Sequence, residues 1–287
     1  MHIEFNRILT RKDTQEWRRE ERGLKIVQIG HNKHTWTVEG YEKAEDKVDA
    51  LCSELREKYG NEFRSAIISN KYEDDLVGLL RQNGVDEPLV THYNMEESVN
   101  DFDDEEIGLV LGCISPSDKD IKDWIALLDK QAQPRREADN PELSHKSGGQ
   151  IWVGPDRDVA HELIYGIRER HVLQAIGRFA RSPSDSDDGA IVYVLTDVVP
   201  DDWVDEKIAD VDVLAEKQRE ILETIADSED GMTARQVSDE IDVTRQHVHN
   251  LVAQHGDSDW LNVIEGAGEY NADVYMVNRV PKGSVNI

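Results

Sequence analysis

Two cysteines, Cys52 and Cys113, are all that this chain of 287 residues carries, and they form no CxxC pair. That argues against a disulfide framework or a thiolate zinc cluster, and makes a reducing cytoplasm the expected compartment. No apolar run approaches the 18 residues of a membrane span. Residues 1–22 are charged throughout, unlike a signal peptide. No G-x-x-x-x-G-K-[ST] string occurs, so the chain offers no loop of backbone amides and lysine to cradle phosphates. No nucleophile with its base, carboxylate pair or metal cluster stands out. Ser144-His145 is a loop dipeptide, and His31 and His34 in HNKH have no acidic or thiol partner at helical spacing. Positive charge is scarce as well: 33 basic residues face 60 acidic ones, for a net charge of −27. The acid is spread along the whole chain, as on a surface built to stay solvated in concentrated salt in halophilic organisms. Such a charge opposes DNA in dilute buffer. At molar salt the field is screened within about 3 Å, and local side-chain geometry decides instead.

The length predicts two domains, with room for a smaller third piece. Apolar runs at 24–29 (LKIVQI), 65–69 (SAIIS), 89–91, 107–112 (IGLVLG) and 190–195 (AIVYVL) read as strands. Helical patterns at 14–22, 41–59, 74–81, 119–130 and 162–181 alternate with them. That order predicts an α/β fold with a mostly parallel sheet and helices on both faces. Ligands of such sheets lie beyond the carboxyl ends of the strands, which directs attention to the loops after Ile68, Val90 and Leu111. Two polar stretches, 131–150 and 182–189, read as exposed loops.

The chain is organised around 162–181, ELIYGIRERHVLQAIGRFAR. Val172, Ala175, Ile176 and Phe179 fall at i, i+3, i+4 and i+7 and predict a core-facing stripe. Gln174, Gly177, Arg178 and Arg181 repeat that spacing on another face. Two guanidiniums one turn apart suit a planar charged ligand such as a triphosphate; the alternative is a solvated basic face.

From about Leu214 the period changes. Leu214, Gln218, Ile221, Leu222 and Ile225 outline one helix, and Thr233-Ala-Arg-Gln236 has capping-box form and opens a second. Thr244 caps a third after a short turn, which is a helix-turn-helix signature, and is itself expected among the DNA-contacting residues. Strands at 261–264 and 274–277 with the loop EGAGEYNAD between them complete a winged helix, an α+β domain. Arg245, Gln246, His249 and Asn250 face away from its apolar stripe, and Arg with Gln or Asn are the side chains that read guanine and adenine edges. The acidic wing (Glu265, Glu269, Asp273) offers no arginine to a minor groove. The alternative is a module for protein contact.

Q-x-x-G-R-x-x-R at 174–181 resembles motif VI of superfamily-two helicases. SAIISNK at 65–71, ending in Lys71, is similar to motif IV, and ESVNDF at 97–102 to motif V. Over residues 24–199 the chain resembles the second RecA-like domain of such helicases, most closely plasmid- or virus-associated ones of haloarchaea. The resemblance implies that Gln174, Arg178 and Arg181 act on nucleotide, and that Lys71, Ser98, Asn100 and Asp101 touch nucleotide or strand. Residues 1–40 are then expected to be a remnant of a preceding RecA-like domain, 41–205 the RecA-like domain and 206–287 the winged helix. The acidic run 103–106 precedes its strand and does not serve as a Walker B site. ATP and Mg²⁺ would need a partner chain carrying the phosphate loop, because arginine fingers act on a nucleotide held elsewhere. Three readings follow: half of a DNA-dependent ATPase, a DNA-binding regulator with the RecA-like domain as scaffold, and an inactive relic. DNA is the expected partner in the first two.

Overall fold

A computed structural model describes residues 11–31, 38–93, 95, 101–135, 151–179 and 189–284. The chain divides into two compact units, Met1–Ala44 with Tyr59–Asp210 and Glu45–Lys58 with Val211–Ile287.

In the first unit the strands are β1 (Leu24–Ile29), β2 (Phe63–Ile68), β3 (Leu89–His92), β4 (Ile107–Leu111), the short pair β5 (Gln133–Arg135) and β6 (Ile151–Val153), then β7 (Ala190–Leu195) and β8 (Glu206–Ile208). Six of them form one parallel sheet in the order β3-β2-β4-β7-β1-β8. Every residue of β4 is buried, as expected of a parallel strand covered on both faces. The helices are α1 (Arg11–Glu20), α2 (Val38–Glu42), α3 (Glu45–Tyr59), α4 (Glu73–Gln82), α5 (Asp118–Leu127) and α6 (Arg157–Ile176). Only Tyr59 of α3 belongs to this unit, and its hydroxyl lies 2.6 Å from that of Tyr193.

The main core joins Ile26, Ile67, Val110, Val192 and Val194 of the sheet to Val172, Ala175, Ile176 and Phe179. The stripe expected over 172–179 is therefore buried, but the helix carrying it is displaced toward the amino terminus. α6 begins at Arg157 and ends at Ile176, with Gly177 as C-cap. Beyond it the winding tightens: Arg178 N bonds Ala175 O and Phe179 N bonds Ile176 O, each three residues back.

Two features had no signal at short range. Trp152 of β6 is buried in a second cluster with Ile121, Ile125, Ala160 and Ile164. It lies just beyond the stretch read as an exposed loop, of which β5 takes three residues and 136–150 lie outside the described residues. Buried Arg18 of α1 donates to Asp205 at 2.6 Å and to the carbonyl of Leu24 at 2.5 Å. Burial pushes the Asp205 carboxyl up, but its bonds from Arg18 and the Ile26 N–H outweigh this and hold it below the ordinary value.

The second unit contains 45–58 of α3, together with α7 (Glu216–Ala226), α8 (Ala234–Glu240) and α9 (Arg245–His255). Its strands are β9 (Asp212–Val213), β10 (Leu261–Ile264), β11 (Val274–Val277) and β12 (Gly283–Ser284). β10 and β11 form an antiparallel hairpin, and Met232 bridges to Tyr275 beside it. Arg279 clasps the Glu54 carboxylate at 2.8 and 2.7 Å, and Lys282 bonds Asp49 at 2.9 Å. These pairs tie 45–58, which sequence order groups with the sheet, to the carboxyl-terminal stretch. Among the described residues no helix is long and apolar enough to cross a membrane.

Candidate functional site

The sheet order fixes where a strand-end crevice opens. From β2 the chain moves outward through α4 to β3, whereas from β4 it moves the other way to β7. The crevice therefore lies between the carboxyl ends of β2 and β4. After β2 stands Lys71, exposed, its ammonium 5.6 Å from the centre of the Tyr72 ring. After β4 come Gly112, whose carbonyl accepts from the Tyr93 hydroxyl at 2.7 Å, and Ser115, whose hydroxyl is 3.4 Å from Arg168 Nη2. Arg168 is buried on α6 and carried no sequence signal that set it apart. His92 Nδ1 pairs with the Glu73 carboxylate at the end of β3.

The residues expected on nucleotide or strand divide between the two edges of the sheet. α6 runs back from the carboxyl edge, and Phe179 packs on Gly108 at the start of β4 and edge-on against Phe102. Asp101, exposed, sits beside Phe102 in the turn entering β4. Arg178 follows α6 and is 5% exposed, and Gln174 is half-buried. Because the helix stops at Ile176, Gln174 and Arg178 do not share a continuous helical face. Lys71 follows the carboxyl end of β2, at the opposite edge of the sheet. Ser98, Asn100 and Arg181 lie outside the described residues, as do His34, Ser144 and His145. Among the described residues no group of three or more His, Cys, Asp or Glu side chains is placed to hold a metal ion.

The carboxyl-terminal unit brings its expected residues together. Thr233 caps α8 reciprocally: its N–H donates to Gln236 Oε1 at 2.8 Å, and its hydroxyl accepts from Gln236 N at 3.3 Å. The link to α9 is pinned where Ser238 donates to the Val243 carbonyl at 2.8 Å. Thr244 is the N-cap of α9, accepting from His247 N at 3.3 Å. Such a cap stabilises a helix by about 1 kcal/mol. Val248 and Leu251 turn inward to a core with Ile221, Leu222, Val237 and Trp260, each buried side chain contributing roughly 1.5–3 kcal/mol. Arg245, Gln246, His249 and Asn250 remain outward, all exposed, with His247, Ala253 and Gln254 also exposed on the same helix. Gln246 donates to Asn250 Oδ1 at 2.8 Å, one turn on, which holds two amides in a common orientation. His249 Nδ1 lies 3.1 Å from the hydroxyl of buried Tyr275, fastening α9 to β11. Among the described α-helices, α9 alone contains no aspartate or glutamate. Compared with protein-family models, curated proteins and solved structures, the chain matches none.

Proposed function

We propose that this chain is a DNA-binding protein whose carboxyl-terminal unit is a winged helix that places α9 in the major groove. The observation that carries the reading is the outer face of α9. In a chain with 60 acidic residues, this helix is free of carboxylates and presents a guanidinium, two bonded amides and an imidazole side by side. Arginine suits guanine O6 and N7, and glutamine or asparagine suits adenine N6 and N7. The partial positive charge of the capped amino terminus adds a modest attraction for phosphate.

The six-stranded unit is, in this proposal, a RecA-like body of the superfamily-two type. Its nucleotide chemistry ranks second. Arg178 is buried and Gln174 half-buried, so both would have to be uncovered before meeting ATP and Mg²⁺ on a partner chain.

The test is selection of a site from a random duplex pool in molar potassium chloride, followed by fluorescence anisotropy. Arg245→Ala is expected to weaken the selected site by roughly tenfold to a hundredfold, the range of one bidentate base contact. It should also relax the sequence preference at one base pair. If Arg245→Ala, Gln246→Ala and Asn250→Ala all bind like the parent, α9 is not the reading element.

A further inference from the structure

Helix α5 has two unlike flanks. On one, Lys122 and Ala126 stand a turn apart and, with Ile125, Lys130, Val153 and Pro155, line a groove of about 540 Å³. Ala132, two glutamines and Gly154 complete the lining, and no aspartate or glutamate takes part. In a chain with 60 acidic residues, the groove is a gap in the acid coat. Lys122 makes no ion pair among the described residues, and Lys130 shares its charge with Asp156 at 3.5 Å on the rim. The strands beside the groove do not invite a third. Pro134 of β5 has no N–H to donate, and the Trp152 N–H of β6 is spent on His161 Nε2 at 3.3 Å. The groove therefore suits a helix that brings apolar side chains and carboxylates.

Such a helix is present in the chain itself. On the other flank of α5, Trp124, Leu127 and Leu128 fall at i, i+3 and i+4 and are 52%, 77% and 50% exposed. The helix end holds them in place. Asp129, left-handed at φ 54°, bonds Ala126 O at 3.1 Å through its N–H, and Lys130 N bonds Ile125 O at 3.0 Å. Three bulky apolar side chains fixed in water form a ridge that the core of their own unit does not use. Asp120 and Asp123 stand one turn before Trp124 and Leu127, and Asp129 follows Leu128; Lys119 falls between the flanks. The ridge sets apolar knobs among aspartates, and the groove sets an apolar floor between lysines. We propose that the chain associates with a second copy of itself, the α5 ridge of one copy seated in the α5–β6 groove of the other. Elsewhere two surfaces of net charge −27 repel each other, so the gap in the acid directs where they meet. The contact lies within the sheet-bearing unit and does not depend on DNA binding.

The experiment is sedimentation equilibrium of the full chain between micromolar and millimolar protein. Molar potassium chloride screens the general repulsion to about 3 Å, so that only charges in contact still count. The parent is expected to associate as its concentration rises. Leu127→Gln removes a knob of the ridge, and Ala126→Glu places a carboxylate in the groove. Each should weaken association by roughly tenfold or more, the scale of losing one well-seated side chain. Both positions are exposed, so the melting temperature of each variant stays that of the parent. Because ridge and groove are different patches, the contact can be divided between two variants. An equal mixture pairs the intact ridge of the Ala126→Glu chain with the intact groove of the Leu127→Gln chain. It should regain association that neither variant shows alone at the same total concentration, and stop at dimers. Three results overturn the proposal. A parent that stays monomeric throughout leaves the groove to an acidic helix of another protein. Association that survives both substitutions puts the contact on another face. A mixture no stronger than its parts means that ridge does not meet groove.

Discussion

Gly108 at the start of β4 is covered by the ring of Phe179, three residues beyond the end of α6. A Cβ built there would lie 2.4 Å from Phe179 Cε1 and 2.6 Å from Cζ, far inside any carbon–carbon contact. Phe179 cannot retreat freely, because its other side meets Phe102 edge-on with ring centroids 5.5 Å apart. Gly108→Ala should therefore destabilise the chain by about 1–3 kcal/mol through overpacking, read as a lower urea midpoint at unchanged slope. Phe179→Leu in the same background should recover part of that loss, since residues in contact do not behave additively. A Gly108→Ala protein with the parent's midpoint would mean that the Phe179 ring does not lie this close to β4. Only half of this contact was readable in the sequence. The inward turn of Phe179 follows from its spacing to Val172, Ala175 and Ile176, whereas nothing in IGLVLG tells which ring its first glycine faces.

Among the elements, the caps were the most legible, because a cap is a contact within three residues. Thr233 with Gln236, and Thr244, carry their signatures in order along the chain. The end of α6 was not legible. Gly177 closes the helix at φ −67°, without the left-handed backbone that usually makes a C-terminal glycine a stop signal, and the apolar period runs on through Phe179. α9 carries a prediction of its own. His255 in its last turn is 5% exposed, packs at a tilt against Trp260 with centroids 5.4 Å apart, and has no hydrogen-bond partner for Nε2 among the described residues. Burial lowers its pKa from the ordinary 6.5, and the Asp212 carboxylate opposes this only in part. The folded state thus prefers the neutral ring. Between the two pKa values the unfolded chain binds more protons, so stability is complete above about pH 6.5 and declines as the pH falls below it. His255→Phe keeps the ring on Trp260 and removes the titration. The stability difference between parent and variant is expected to move in the variant's favour from pH 7.5 to pH 5, measured by urea unfolding. A difference that stays constant over that range would mean that His255 titrates alike in both states.

At the scale of the whole molecule, the parallel sheet was foreseeable because buried runs alternate with amphipathic helices. Its edges were not. The Arg18–Asp205 pair spans 187 residues and the Arg279–Glu54 pair 225, and no local pattern announces partners so far apart. β8, β9 and β12 are two or three residues long, too short to show a period of two. The property most visible in the sequence is the charge, and it is also the one with the largest consequence for the whole chain. A net charge of −27 makes the compact state repel itself, and that repulsion falls as salt screens it. The melting temperature should therefore rise from dilute buffer into molar potassium chloride. Most of the rise should come below about 1 M, where the screening length has already shrunk to about 3 Å. Salting-out of apolar surface would instead keep growing with concentration and depend on the anion. Potassium chloride and potassium sulfate compared at equal ionic strength separate the two: coincident curves at low salt identify screening. A melting temperature that is flat or falling between dilute and molar potassium chloride would mean that the acidic surface does not govern the stability of this fold.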